Sequence, residues 1–202
     1  GHRQGAKTGE KMCEVARDLG IKYFTVYAVS TENWKRPQSE VDALMNLLRK
    51  YMIDSLERTA KNNMRVRVIG DKTGLSEDIQ KSIADVETAS AGNTGLNFTI
   101  AINYGSRDEM IRAMKKMLAD GHTNQDEMSE ALFEHYLDTA GMPDPDLVIR
   151  TSGEQRVSNF LLWQMAYSEF YFTPVLWPDY NKETMIEALR SYSKRDRRFG
   201  GV

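Results

Sequence analysis

Two polar segments combine residue types that can act on an anionic substrate. The first, inside the stretch 144–179, is Arg150-Thr-Ser-Gly-Glu-Gln-Arg156-Val-Ser158-Asn159. Its two arginines stand six positions apart around Gly153, with hydroxyls at Thr151, Ser152 and Ser158. Forked guanidinium donors at that spacing can wrap a phosphate. Ser158 can also cap a following helix, whose N-terminus would face the same anion. The competing arrangement is an Arg150–Glu154 ion pair, which would make the loop structural only. The second segment, Ser30-Thr-Glu-Asn33-Trp34-Lys-Arg36-Pro, offers hydroxyl, amide, flat apolar and bidentate cationic groups side by side. A solvated loop with Ser30 or Thr31 as a cap and Trp34 as a plug would use the same residues.

Three further groups are candidates. Glu169 lies in the apolar setting Trp163-Gln-Met-Ala-Tyr-Ser-Glu-Phe-Tyr-Phe, where a carboxylate either pairs with a buried cation or ligates a metal. The phosphate loop upstream favours Mg²⁺, which takes one or two carboxylates plus phosphate oxygens. The tail Arg197-Arg198-Phe-Gly200-Gly is a strap that can bring an arginine and backbone N–H groups to an anion. His2 is the one histidine placed for chemistry, whereas His122 and His135 read as loop and helix-surface residues. No CxxC, HExxH, GxSxG or GxxxxGKS motif occurs, which argues against zinc proteases, serine hydrolases and P-loop NTPases.

The elements that must position these residues follow from periodicity. Helical spacing of apolar residues predicts helices over 6–19, 40–61, 77–90, 107–118, 127–139, 160–166 and 183–194. β-branched and aromatic runs predict strands over 23–29, 65–69, 97–102, 147–149 and 170–172, with 30–39 as an open loop. Strands separated by helices imply an α/β domain with a mainly parallel central sheet flanked by helices. Such sheets bind ligands beyond the carboxyl ends of their strands, where both polar segments begin.

Composition narrows the class. The 202 residues suit one domain, 1–202, with no linker or repeat, and 41% hydrophobic against 28% charged content is that of a globular chain. A net charge of −2 argues against general nucleic-acid binding. The single cysteine, Cys13, falls in a helical pattern as buried filler and fits a reducing cytoplasm. No apolar run is long enough for a membrane span, so the expectation is a soluble protein able to lie on a membrane.

Taken in order, Ser30-Thr-Glu-Asn-Trp-Lys-Arg-Pro, Asn93-Thr-Gly-Leu, Asn103-Tyr-Gly, Asp146-Leu-Val-Ile-Arg-Thr-Ser-Gly-Glu, Ser158-Asn-Phe-Leu-Leu-Trp-Gln, Glu169-Phe-Tyr-Phe, Leu176-Trp-Pro-Asp and Arg197-Arg-Phe-Gly-Gly resemble the cis-prenyltransferase (isoprenyl transferase) family. The resemblance runs the length of the chain. It implies condensation of isopentenyl diphosphate onto an allylic diphosphate such as farnesyl diphosphate, with Mg²⁺, to a long Z-polyprenyl diphosphate of lipid-carrier size. It further implies that Arg150, Arg156 and Ser158 hold the isopentenyl diphosphate and that Glu169 helps hold Mg²⁺. Arg198 and Gly200 would complete the site across a homodimer interface. Ser30, Asn33, Trp34 and Arg36 would form a closing loop, with Asn33 catalytic, and His2 would serve the allylic diphosphate and proton removal. An apolar tunnel for the growing chain is implied between sheet and helices, lined by Ala28, the first helix, the helix 40–61 and the strand 97–102. A cytoplasmic enzyme touching the membrane to release product completes the expectation.

The sequence departs from the family pattern at its start. The family's first strand leads into His-x-x-Met-Asp-Gly-Asn-Gly-Arg-Trp-Ala, whose aspartate is the main Mg²⁺ and catalytic carboxylate. The match here begins in mid-motif at Gly1, so the expectation is a truncated chain whose aspartate lies upstream. A chain naturally lacking the motif would instead be an inactive partner subunit. A small-anion-binding α/β module is the reading from outside the family.

Overall fold

A computed structural model describes residues 1–201. Helix α1 (His2–Asp18) leads to strand β1 (Tyr23–Tyr27), the long helix α2 (Gln38–Asn62), β2 (Arg65–Ile69), α3 (Glu77–Ser90) and β3 (Asn97–Ala101). Then follow α4 (Ser106–Ala119), the short α5 (Glu130–Tyr136), β4 (Leu147–Arg150), β5 (Glu169–Phe172) and α6 (Lys182–Ser193). The expected parallel sheet is present in two pieces: β1-β3-β2 with β3 central, and β4-β5. All pairings are parallel, so the carboxyl ends of all five strands are available to carry ligand loops.

β3 is central and is buried from Phe98 to Ala101, as a strand covered on both faces requires. One face meets α1, α2 and α3 through Ala16, Leu48, Met52, Ile79, Ile83 and Val86. Burial of each of the larger side chains in this set stabilises the fold by about 1.5–3 kcal/mol. The other face meets Tyr104, Leu161 and Met165. Cys13 is buried among the first set, and desolvation pushes its thiol pKa well up, so it acts as apolar filler.

Several boundaries differ from the periodicity. α1 starts at His2 rather than residue 6 because Gly1 serves as N-cap and Gly5 is inside the helix. Gly5 leaves room for Trp177, whose Nε1 donates to the Gly5 carbonyl at 3.0 Å. β1 ends at Tyr27, two residues early, because the N–H groups of Ala28 and Val29 both donate to the Ala101 carbonyl and the ladder stops. The 30–39 segment is not open: residues Thr31–Lys35 form a 3₁₀ turn and α2 begins at Gln38. α5 begins at Glu130 because Ser129 caps it through Leu132 N, 3.1 Å. The helix expected over 160–166 is absent. Ser158, Asn159 and Leu161 have φ of 50°, 60° and 45°, values that no α-helix accepts, so this segment is a series of turns.

One buried carboxylate ties the parts together. Glu109, 1% exposed, accepts from the Tyr104 hydroxyl at 2.6 Å, Gln164 Nε2 at 3.1 Å and Asp138 N at 2.9 Å. Asp138 in turn takes both terminal nitrogens of Arg112 and the N–H of Gly70, the residue after β2. At Gly70 a Cβ would fall 1.9 Å from the Ile102 carbonyl, so only glycine fits. Burial pushes the Glu109 pKa up, and its hydrogen-bond donors work against that shift. Glu109→Ala would strand the buried Tyr104 hydroxyl and the partly buried Asp138 N–H, and would leave Gln164 Nε2 with Thr139 alone. It should cost about 3 kcal/mol in denaturant unfolding, and a cost under about 1 kcal/mol would show that the network does not brace the fold.

Candidate active site

The phosphate-type loop leaves β4 at its carboxyl end. Arg150 is half-buried there and makes no ion pair among the described residues, while its carbonyl accepts from Thr173 N. Ser152 N donates to the Val175 carbonyl and Gly153 N to Thr173, so β5 and the segment after it fix the first turn of the loop. Ser152 and Gly153 take φ of 68° and 70°, a consecutive left-handed pair. The ion pair weighed for Arg150 is made by Arg156, whose Nη1 meets Glu154 Oε2. Arg156 is therefore partly neutralised, and Arg150 is the free cation of the pair. Ser158 caps no helix, because none follows it.

Arg150, Thr151, Ser152, Arg156 and His2 all line one cavity of about 1150 Å³. Its remaining wall is mainly apolar. Phe24, Val26 and Ala28 come from β1 and its exit, Leu44, Leu47 and Leu48 from α2, and Ala6 and Gly9 from α1. The 97–102 strand contributes Ile100 alone, so β1 rather than β3 forms the sheet side of the cavity. Residues of both β1 and β4, the end strands of the two sheet pieces, line it. Gln164 Oε1 and the Tyr180 hydroxyl are buried on this wall without a hydrogen-bond partner among the described residues. The arrangement lines one mainly apolar chamber with a free guanidinium, a histidine and the Thr151 and Ser152 hydroxyl residues. It suits an amphipathic anion with a charged head and a hydrocarbon tail.

The 30–36 segment stands apart from that lining and is docked on the end of β3. Asn33 Oδ1 accepts from Ser30 N at 2.8 Å in a capping box, and Thr31 N donates to the Tyr104 carbonyl at 3.0 Å. Trp34 Nε1 donates to Asn103 Oδ1 at 2.6 Å, and Arg36 is exposed. In this position Asn33 serves the turn. Tyr27 below it has its phenol pKa pushed up by burial first and by the nearby Glu32 charge second.

Glu169 is not brought to Arg150. In the β4–β5 register it opposes Leu147 while Arg150 opposes Phe172, three residues further on, or about 10 Å along the strand. Its carboxylate accepts from Arg195 at 3.2 Å, the cation-pair alternative read from sequence. Among the described residues no three His, Cys, Asp or Glu side chains stand together as a metal site. Glu169 alone fits Mg²⁺ only as one ligand in a shell completed by phosphate oxygens and water, and after release from Arg195. In the tail, Arg197 is the anchor, donating to Asp146 Oδ1 at 2.7 Å and the Tyr167 carbonyl at 3.0 Å. Arg198 is left exposed beside Asp196, and Gly200 takes φ of 78° with nothing against it.

Sequence reasoning missed Asn103 as the anchor of Trp34 and Asn159 as a junction between loops. The usable signal was an asparagine inside a turn-rich polar run, since Asn adopts positive φ more readily than other side chains. The contrast between the two arginines is testable. Arg150→Ala should weaken binding of inorganic diphosphate about tenfold by calorimetry. Arg156→Ala should weaken it less, and a larger loss at Arg156 would reverse the assignment.

The chain matches, over residues 1–200, the family described as putative undecaprenyl diphosphate synthase. It is 48% identical to an isoprenyl transferase of Agrobacterium fabrum, covering all of this chain and 83% of that protein. It is 49% identical to an isoprenyl transferase of Fusobacterium nucleatum, covering 86% of it. A crystal structure of lavandulyl diphosphate synthase from Lavandula x intermedia, in complex with dimethylallyl diphosphate, superposes with a TM-score of 0.93 at 38% identity, over 98% of this chain and 87% of that one. A probable undecaprenyl diphosphate synthase from Campylobacter jejuni gives 0.88 at 37% identity, over 99% and 93%. With the free Arg150 opening on an apolar chamber at the carboxyl edge of a parallel sheet, these matches show that the chain belongs to the isoprenyl transferase family of undecaprenyl diphosphate synthases.

Proposed function

We propose that the chain carries out cis-prenyl elongation, condensing isopentenyl diphosphate with an allylic diphosphate, farnesyl diphosphate in the first round, to a long Z-polyprenyl diphosphate of undecaprenyl size. The observation that carries this is the cavity itself. Arg150, Ser152 and His2 line it together with a mainly apolar wall. A substrate with a diphosphate head and an isoprenoid tail matches both parts. The dimethylallyl diphosphate held by the lavender relative supports an allylic diphosphate as the substrate class.

In the reaction the allylic carbon–oxygen bond breaks and diphosphate departs with the electron pair. The isopentenyl double bond attacks that carbon, and loss of a proton leaves the new Z double bond. Arg150, Arg156 and Ser158 would hold the isopentenyl diphosphate and fix its double bond against the allylic carbon, an alignment that removes much of the entropic barrier. Donors placed before the reaction stabilise charge more effectively than water does. His2, first in α1, lies beside the same chamber and would serve the allylic diphosphate and the proton loss. The apolar wall keeps water from the electron-poor carbon. Closure of Ser30–Arg36 would require Trp34 to leave Asn103, and would bring Asn33 and Arg36 to the substrates.

Mg²⁺ when bound supplies charge neutralisation for the diphosphate oxygens, and Glu169 is the carboxylate of this chain proposed to reach it. Because Glu169 and the Arg198–Gly200 strap lie away from Arg150 within one chain, a homodimer in which they complete the partner's site is the assembly proposed. Among the described residues no helix is long and apolar enough to cross a membrane. A cytoplasmic protein that touches the bilayer only to release its product fits that observation.

The test uses the full-length gene product with labelled isopentenyl diphosphate, farnesyl diphosphate and Mg²⁺. Incorporation should fall about 100-fold in kcat/KM for Arg150→Ala and should cease when Mg²⁺ is chelated. Equal rates in the variant would remove Arg150 from the site, and undiminished turnover in chelator would remove the metal.

A further inference from the structure

Three loops leave the carboxyl edge of the sheet and meet at one point. A Cβ on Gly105, just after β3, would lie 2.7 Å from Thr31 Oγ1 and 2.8 Å from Asn159 Nδ2. The 30–36 loop, the β3–α4 turn and the diphosphate loop therefore touch with no room for a methyl group. Asn159 is the hub of this junction. Its Oδ1 accepts from Arg107 N at 2.9 Å, its carbonyl from Ser106 N at 2.7 Å, and its Nδ2 donates to Glu32 Oε1 at 3.3 Å. One end of the amide thus caps α4 and the other reaches the 30–36 loop.

The backbone supports a dedicated role. Ser158 and Asn159 both adopt positive φ, and Leu161 does so two residues on. Such a run costs energy and persists where the surroundings hold it in place. The hold is visible on both sides: Tyr27 Oη donates to the Tyr104 carbonyl at 2.8 Å and lies 3.5 Å from the Ser158 carbonyl, and Ser106 Oγ accepts from Leu162 N at 2.9 Å. Burial works to raise the Glu32 pKa, but its own N–H, Asn159, Thr31 and Ser30 outweigh it and hold the carboxyl below the usual range. The partner of the Asn159 amide is therefore a carboxylate.

We propose that Asn159 is a positioning residue that couples the two substrate loops, registering Ser158 on one side and the Asn33–Arg36 turn on the other against the first turn of α4. It touches no reacting atom and acts through Ser158, its chain neighbour, and through Glu32. This rests on the function proposed above.

A swap of hydrogen-bonding roles tests it. Asn159→Asp keeps an acceptor for Arg107 N–H but sets a second carboxylate against Glu32. In the double variant Asn159→Asp/Glu32→Gln the amide and the carboxylate have changed places, and the bond re-forms in the reverse sense. In the full-length gene product the single variant should raise KM for isopentenyl diphosphate about tenfold, with a smaller change in kcat, and the double variant should return it to within about twofold of the unaltered protein. Calorimetry with inorganic diphosphate should give the same order of affinities without turnover. If Asn159→Asp does not fold, Glu32→Ala removes the same bond from an exposed position and is read in the same two ways. Unchanged KM and diphosphate affinity, or a double variant no better than the single, would overturn the coupling. Failure of the unaltered protein to incorporate isopentenyl diphosphate would instead overturn the proposed function, and the calorimetric order would then decide the coupling alone.

Discussion

The carboxyl edge of this molecule depends on one sealed carboxylate. Glu109 is taken out of water, and it is tolerable there because three donors from three parts of the chain meet its two oxygens. Tyr104 brings the end of β3, Asp138 the turn that also secures Gly70, and Gln164 the wall of the cavity. A buried carboxylate left short of donors is costly, so these segments share one arrangement. From that arrangement follows the position of α4, whose first N–H groups meet Asn159. The 150–159 loop is thus positioned from the interior outward.

The site built on this frame is divided by rigidity. Arg150 and Ser152 are pinned by backbone bonds to the segment following β5, which fixes where an anionic head would lie. The 30–36 turn, by contrast, is joined to the rest by one backbone bond, Thr31 N to the Tyr104 carbonyl, and beyond it by side-chain bonds at Asn103 and Asn159. Glu169 and the C-terminal strap lie elsewhere on the surface, held by Arg195 and Arg197. Their distance from Arg150 within one chain is the geometric reason for looking to a second subunit.

Much of the fold was legible because periodicity and capping agreed. β2 and α3 have the boundaries that their residue patterns predict, and the two loops fall after strands as a parallel sheet demands. Local pattern failed where tertiary contacts override it. Phe160-Leu-Leu-Trp-Gln-Met-Ala has helical composition, yet Leu161 packs around Tyr104 and Asn159 is bonded to the start of α4, with Ser158, Asn159 and Leu161 at positive φ, and the helix is lost. Gly5 looks like a helix breaker and is instead the gap that admits Trp177. The site was legible as a set of residue types but not as a geometry. Spacing alone left open which arginine Glu154 would neutralise, and nothing in Glu169's neighbourhood announced that it lies one strand length from Arg150.

The proposed reaction makes a new Z double bond from isopentenyl diphosphate and an allylic diphosphate. The most direct measurement is ¹³C nuclear magnetic resonance of the product formed by the full-length gene product from ¹³C-labelled isopentenyl diphosphate and farnesyl diphosphate. Every newly formed trisubstituted double bond should have Z geometry, in a chain still ending in diphosphate. New E double bonds, or labelled isopentenyl diphosphate recovered unchanged, would contradict it.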